Sequence, residues 1–245
     1  VVSDTSPDPD ARRLEGAALQ ARVPGLAATG GWWLADEARL DTRQLVGAVR
    51  AAAVRAGVEY RTGAEVAALH EGGVELISGE RLAGTVVVCA GAWTALVAGL
   101  AALPVRPVRG QLLALGGPPA FSPVVFGAGG YLVPRADELV VGSTMEEVGF
   151  TRGVTAAGML AVLGAALQAM PALGELPVLR QWSSFRPGSP DAQPLVGRTR
   201  HGWVASGHFR NGILLAPLTA RMLVSAMLEG AALPPTWAPD RFGLA

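Results

Sequence analysis

The stretch Gly202-Trp203-Val204-Ala205-Ser206-Gly207-His208-Phe209-Arg210-Asn211-Gly212-Ile213-Leu214 reads as a short strand that passes through glycines straight into a long apolar helix. A helix entered this way leaves its first backbone N–H groups without intrahelical partners, at the end where the macrodipole favours negative charge. The junction therefore suits an anion or an electron-rich ring edge. Asn211 is the only asparagine in the 245 residues and sits between Arg210 and Gly212, where a positive φ is expected.

Upstream of this junction, helices and strands alternate in a way that predicts two interleaved domains. A helix over residues 12–21, a Pro24-Gly25 turn and an aromatic strand over 31–35 come first. Asp41 is placed as an N-cap with Gln44 three residues on; Leu45, Val46, Val49 and Ala53 then share a helical face, and Gly57 closes the helix. Strands are expected over 58–61, 65–69, 74–77 and 85–90, the last without alternation, as in a strand buried on both faces of a parallel sheet. From 105 to 143 strands and turns dominate, with 131–134 and 139–142 as an antiparallel hairpin. Thr155 caps a helix that ends at Pro171 and buries Met159, Leu160, Leu163 and Leu167. A strand over 178–185, a Pro187-Gly188 turn and a short strand over 195–197 lead back to the opening stretch.

Half of the residues are hydrophobic and 16% are charged, which implies a packed rather than disordered chain. Formal net charge is zero and all 20 basic residues are arginine, a balance without an electrostatic footprint for nucleic acid or anionic lipid. The single cysteine, Cys89, lies in the apolar run 85–90 and reads as a buried small hydrophobe in a reducing cytoplasm. Val1-Val2-Ser3-Asp4-Thr5-Ser6-Pro7 lacks the basic start and apolar core of a secretory signal. The apolar run 213–228, broken by Pro217 and Arg221, is shorter than the roughly 18 to 20 residues a bilayer requires and reads as a buried helix. A cytoplasmic location, no membrane or nucleic-acid partner and no metal site are the expectations.

Four segments then carry a family resemblance. Tyr131-Leu132-Val133-Pro134-Arg135, Leu139-Val140-Val141-Gly142-Ser143-Thr144-Met145, Phe185-Arg186-Pro187-Gly188 with Pro194-Leu195-Val196-Gly197-Arg198, and the run 207–217 resemble glycine oxidases of bacterial thiamine biosynthesis, in the D-amino-acid oxidase and sarcosine oxidase superfamily. The order holds from about residue 40 to 229; Arg106-Pro107-Val108-Arg109-Gly110-Gln111 and Cys89-Ala90-Gly91-Ala92-Trp93 are weaker matches. Such families begin with a strand, a G-x-G-x-x-G turn and a helix that hold a dinucleotide pyrophosphate. Nothing before Leu40 resembles that unit, and Gly127-Ala128-Gly129-Gly130, which precedes a strand, reads as a loop. The resemblance covers the C-terminal two-thirds or so of such an oxidase. It implies an α/β (α+β) fold in which an incomplete FAD-binding, Rossmann-like domain (40–95 and 181–245) is interleaved with a substrate domain (1–39 and 96–180) built on a mixed, largely antiparallel sheet.

The resemblance also implies a chemistry: oxidative deamination of glycine or another small amino acid or amine, with oxygen as co-substrate and FAD held noncovalently, since no cysteine is placed for a covalent link. Arg186 matches the arginine whose planar guanidinium grips the substrate carboxylate through two parallel hydrogen bonds. Tyr131 matches a tyrosine that frames that carboxylate, and Met145 a pocket wall. Arg210 is expected near the flavin and substrate entrance. His208, Phe209, Arg210, Asn211, Gly212, Ile213 and Leu214 would line the isoalloxazine, their N–H groups facing the charge that builds at N1 and C2=O on reduction; His208 reads as a structural hydrogen-bonder. Val66 matches a backbone contact to the adenine half of FAD. The small Gly127 to Gly130 turn suggests a pocket open to larger D-amino acids or N-methyl amines. Two alternatives stay open: a dehydrogenase subunit completed by a Rossmann-bearing partner chain, and a non-catalytic fragment. Homo-oligomer formation is left undecided.

Overall fold

The computed structural model describes residues 1–2, 8–100, 102–127 and 129–243; residues 3–7 of the stretch read for a leader, and Ala128 of the turn read as a loop, lie outside them. In chain order the elements are β1 (Arg12–Glu15), α1 (Gly16–Arg22), β2 (Gly30–Trp33), α2 (Thr42–Arg55), β3 (Val66–His70), β4 (Gly73–Leu76), β5 (Arg81–Ala83), β6 (Val87–Val88), β7 (Arg106–Gly116), β8 (Val125–Gly127), β9 (Gly130–Pro134), β10 (Glu138–Gly142), α3 (Ala156–Ala169), β11 (Val178–Gly188), β12 (Leu195–Thr199), β13 (Gly202–Ser206) and α4 (Gly212–Glu229). They divide into two compact units, Val1–Leu40 with Arg109–Ser184, and Asp41–Val108 with Phe185–Ala245.

The first unit is organised around β10, which pairs antiparallel with β7 on one side and β9 on the other, in a five-stranded sheet of order β11-β7-β10-β9-β8. Because side chains alternate along a strand, Leu113, Leu115, Leu132, Leu139 and Val141 all reach one face, where Val162 and Ala166 of α3 complete the core. Thr155 caps α3 as expected, its hydroxyl accepting the N–H of Gly158 at 3.1 Å. The buried stripe differs from the expected one: Gly158, Val162 and Ala166 face the sheet, Met159 and Leu163 pack at its margin, and Leu160 is 74% exposed. Small residues win this face because they let the helix come close; a Cβ on Gly158 would stand 2.3 Å from the Gln111 amide. Residues 12–15, expected as helix, form β1 and pair with β2, Leu14 opposite Gly31.

The second unit holds two small sheets. In one, β13 pairs antiparallel with β12 and parallel with β6, Val204 opposite Val88; in the other, β3, β4 and β5 form an antiparallel meander. Its core gathers Leu69, Val88, Leu100, Leu103, Val105, Leu195 and Val204. Residues 96–105, placed with the antiparallel sheet from sequence, thus pack here through Leu100, Leu103 and Val105, while 106–108 begin β7. Asp41 caps α2, accepting from the N–H groups of Arg43 and Gln44 at 2.8 and 3.1 Å. No strand forms over 58–61, because the chain is still closing α2: the Val58 N–H donates to the Ala53 carbonyl at 3.0 Å, past Gly57 at φ +87°.

Two further burial expectations are corrected, and α2 leaves its apolar face uncovered. Cys89 is exposed, since β6 lies at the edge of its sheet. α2 buries no residue, and Val49 on its apolar face is 58% exposed. α4 buries only Thr219, Leu223 and Ala226; its 18 residues, with mean hydropathy 1.4, are long and apolar enough by length and composition to cross a membrane. Accordingly, Val49→Gln should change the unfolding free energy of this chain by less than about 0.5 kcal/mol, whereas Leu113→Ala should cost about 2–5 kcal/mol. Urea titrations of the two variants check this contrast.

Candidate functional site

In open parallel sheets, ligands favour the carboxyl ends of the strands. Here the parallel neighbours β6 and β13 end side by side, and both chains leave through glycines of positive φ, Gly91 at +55° and Gly207 at +72°. A buried hydroxyl pair ties the two exits: Ser206 Oγ donates to the Gly91 carbonyl at 3.0 Å, and Thr94 Oγ1 lies 2.8 Å from both that carbonyl and Ser206 Oγ, its one proton serving either acceptor. Gly207 has no room for a side chain, since a Cβ would meet Leu195 at 2.6 Å.

The bend 207–212 also adjoins the end of β11. The Phe209 N–H donates to the Pro187 carbonyl at 2.9 Å, so the backbone beside Arg186 and the bend are in direct contact. That bond holds Phe209, rather than Asn211, in the left-handed region: Phe209 has φ +49° and Asn211 φ −97°. From the other exit, Trp93 stands edge-on to Phe185, ring centroids 6.0 Å apart at 86°. Trp93, Thr94 and Ser206 are the contributions the sequence reading missed; the only signal was the weak match at 89–93.

α4 then starts without a side-chain cap from Asn211, whose carbonyl accepts from Leu215 at 2.9 Å. The N–H groups of Gly212, Ile213 and Leu214 are those a helix start leaves without intrahelical partners. Arg210 is exposed on the bend. His208 Nε2 lies 2.9 Å from Oγ1 of buried Thr219 in α4, and burial pushes its imidazole below the ordinary 6.5. A half-buried His208 tied from the bend to Thr219 of the following helix is a structural group. Val66 occupies the exposed start of β3, in the separate meander.

In the first unit, Tyr131 and Gly142 are paired across β9 and β10 on the face opposite α3. The tyrosine ring crosses Gly142: a Cβ there would stand 2.9 Å from the Tyr131 hydroxyl and 3.0 Å from Leu112 Cδ2. Phe126 flanks it, ring centroids 5.9 Å apart. Met145 is 62% exposed just beyond Gly142. Among the described residues no group of His, Cys, Asp and Glu could hold a metal ion.

A model of the FAD dependent oxidoreductase family matches residues 3–226, and the chain belongs to that family. It is 38% identical over 247 residues to the bifunctional protein ThiO/ThiG of Synechocystis sp., covering 94% of this chain and 37% of the relative. It is 32% identical to the glycine oxidase of Pseudomonas aeruginosa, covering 84% of this chain and 61% of the relative. The crystal structure of glycine oxidase from Geobacillus kaustophilus superposes with a TM-score of 0.85 at 28% identity, over 94% of this chain and 67% of that one. The fold is therefore that of glycine oxidase, and the chain spans little more than a third of the length of the bifunctional relative. The family's cofactor fits what the second unit presents: two glycine strand exits, a bend whose Arg210 and Asn211 are exposed, and a helix start whose first N–H groups have no intrahelical acceptor. The sequence has no G-x-G-x-x-G turn for the pyrophosphate.

Because folding keeps His208 below its unfolded value, the unfolded chain binds the proton more readily, and stability present above about pH 6.5 should decline as pH falls through that value. His208→Gln, which retains a partner for Thr219, should flatten the stability profile between about pH 7.5 and 5. Denaturant midpoints of both proteins across that range measure the difference.

Proposed function

We propose that the protein containing this chain oxidises glycine or another small amino acid or amine, giving an imine that hydrolyses to an oxo acid and ammonia, with oxygen reduced to hydrogen peroxide. The observation that carries this reading is the hydrogen bond from Phe209 to Pro187, which sets the candidate carboxylate-binding Arg186 next to the candidate flavin-binding bend. When bound, FAD supplies the two-electron acceptor and passes the electrons on to oxygen. Loss of the α-hydrogen with its electron pair leaves an iminium ion, which gives up an N–H proton to solvent to become the imine that water cleaves. The work left to the chain is positioning: the guanidinium of Arg186 fixes the carboxylate through paired charge-assisted bonds, so the α-carbon is held in one place. The N–H groups at 212–214 offer dipoles to a ring that gains negative charge. His208, neutral and committed to Thr219, is not the base, and a substrate amine that binds neutral needs none. Tyr131 and Met145 take the parts of framing the carboxylate and confining the substrate; the names of the similar proteins, glycine oxidase and ThiO/ThiG, support the small substrate.

A second reading has its own support: the exposed apolar faces of α2 and α4 and the edge position of β6 favour a site completed by further polypeptide carrying a strand-turn-helix. Co-purification with such a polypeptide, and dye reduction without peroxide, would distinguish it.

The FAD-loaded protein should release peroxide and ammonia from glycine, sarcosine or D-alanine, and Arg186→Lys should lower kcat/KM about 10- to 150-fold, the worth of a charge-assisted bond pair of roughly 1.5–3 kcal/mol. An amine without a carboxylate should lose nothing by the same change. Absence of turnover on all three amino acids rejects the oxidase reading.

A further inference from the structure

β7 and β10 are in regular antiparallel register up to Leu112 opposite Gly142. Beyond that point the two strands meet again at Arg109 and Glu146, which exchange backbone bonds of 2.9 Å in each direction. Two residues, 110 and 111, lie between Arg109 and Leu112, while three, 143–145, lie between Gly142 and Glu146, so the segment 143–145 contains one extra residue, a bulge. At the bulge a side chain stands in for the backbone: the Gln111 N–H donates to Thr144 Oγ1 at 2.9 Å, and the Thr144 N–H reaches back to the Gln111 carbonyl at 3.3 Å.

The extra residue reverses which face each following side chain takes. Val141 points to the α3 core and Gly142 to the opposite face, beneath Tyr131. Without the bulge Met145 would follow Val141 toward α3. With it, Glu146 takes the α3 side: its carboxylate accepts from the fully buried Gln111 amide at 2.8 and 3.1 Å and from Arg109 Nε. Met145, its neighbour, is thereby turned to the face of Tyr131. The Gln111 amide is itself held at the start of α3, donating to Thr155 Oγ1 at 3.1 Å and accepting from the Thr155 N–H at 2.7 Å, while Arg109 also donates to the Thr151 carbonyl at 3.1 Å. Burial pushes the Glu146 carboxyl up, but bonds from Arg109, Thr144 and Gln111 outweigh it and hold the group below its usual range, ionised as the clamp requires.

We propose that Thr144 and Gln111 are positioning residues that lock this one-residue bulge and so keep Met145 on the Tyr131 side of the sheet, where, on the reading given under Proposed function, it limits the size of the substrate. The pairing has an alternative one residue away, which the Thr144 hydroxyl excludes by occupying the Gln111 N–H.

Thiol labelling tests this without any turnover. In a Cys89→Ser background, Met145→Cys should react readily with Ellman's reagent. Adding Thr144→Val should slow labelling about tenfold or more as position 145 turns inward, and Thr144→Ser, which keeps the hydroxyl, should label like the parent. Equal rates for the Val and Ser variants, both folded by circular dichroism, overturn the proposal; if Thr144→Val does not fold, the smaller Thr144→Ala gives the same comparison. In the FAD-loaded protein with Met145 intact, Thr144→Val should raise KM for glycine about tenfold with kcat nearly unchanged, and Thr144→Ser should restore it. A labelling difference without amine oxidation by any variant upholds the register lock and defeats the oxidase reading; amine oxidation with no labelling difference defeats the lock alone.

Discussion

The second unit depends on a bond between two hydroxyls, Thr94 and Ser206, that are far apart in sequence and almost wholly removed from solvent. Both hydroxyls also reach the Gly91 carbonyl, so the three oxygens form one closed buried cluster in which a member left without a partner would cost about 1–3 kcal/mol. Their shared acceptor, the Gly91 carbonyl, places the exit of β6 against the exit of β13. Once those exits are fixed, the bend that follows has little freedom: Gly207 is pressed against Leu195, and Phe209 is drawn to Pro187. The environment around Arg186 and the start of α4 is thus specified by buried backbone and hydroxyl bonds, and the charged side chains inherit it.

The first unit solves a different problem, which is how one sheet can have a greasy face against α3 and a chemically distinctive face on the other side. Strand alternation accomplishes most of this, and Gly142 extends it by leaving space for the Tyr131 ring to lie flat across the strand. The buried cluster of Arg109, Gln111, Thr144, Glu146 and Thr155 lies where β7 meets the start of α3. Such a cluster adds less to stability than an apolar core of equal volume would, because its members are desolvated. What it contributes is discrimination between neighbouring registers, which apolar contacts alone tolerate far more easily.

The sequence was readable wherever a local rule decides the outcome by itself. Asp41 and Thr155 cap helices because a short acceptor side chain before a helical run has few better options, and the hairpin 131–142 follows from alternation around a polar turn. The nearness of the strand end at Arg186 to the bend near 210 follows from no local rule; only the family resemblance, which gives one a substrate role and the other a flavin role, points to it. By contrast, the left-handed residue was misplaced on Asn211. Intrinsic preference points there, whereas the bond from Phe209 to Pro187 is tertiary and leaves no local trace. The contact of Trp93 with Phe185, and the one-residue bulge before Glu146, leave no local trace for the same reason: each is defined by what lies across from it.

Burial was the least legible property, and α2 and α3 show why. Both have clear apolar periodicity, yet α3 turns Gly158, Val162 and Ala166 to the sheet in place of its leucines, and α2 buries none of its valines. Periodicity reports that a helix has an apolar side; it carries no information on how close a neighbour can approach or whether one is within reach. In α3 the distance of closest approach decides, so Gly158 and Ala166 displace Leu160 from the interface. In α2 and α4 the apolar side outlasts its cover in a chain that spans only part of the length of its relatives. An amphipathic pattern is therefore a statement about the whole folded protein, while a cap or a turn is a statement about its own few residues.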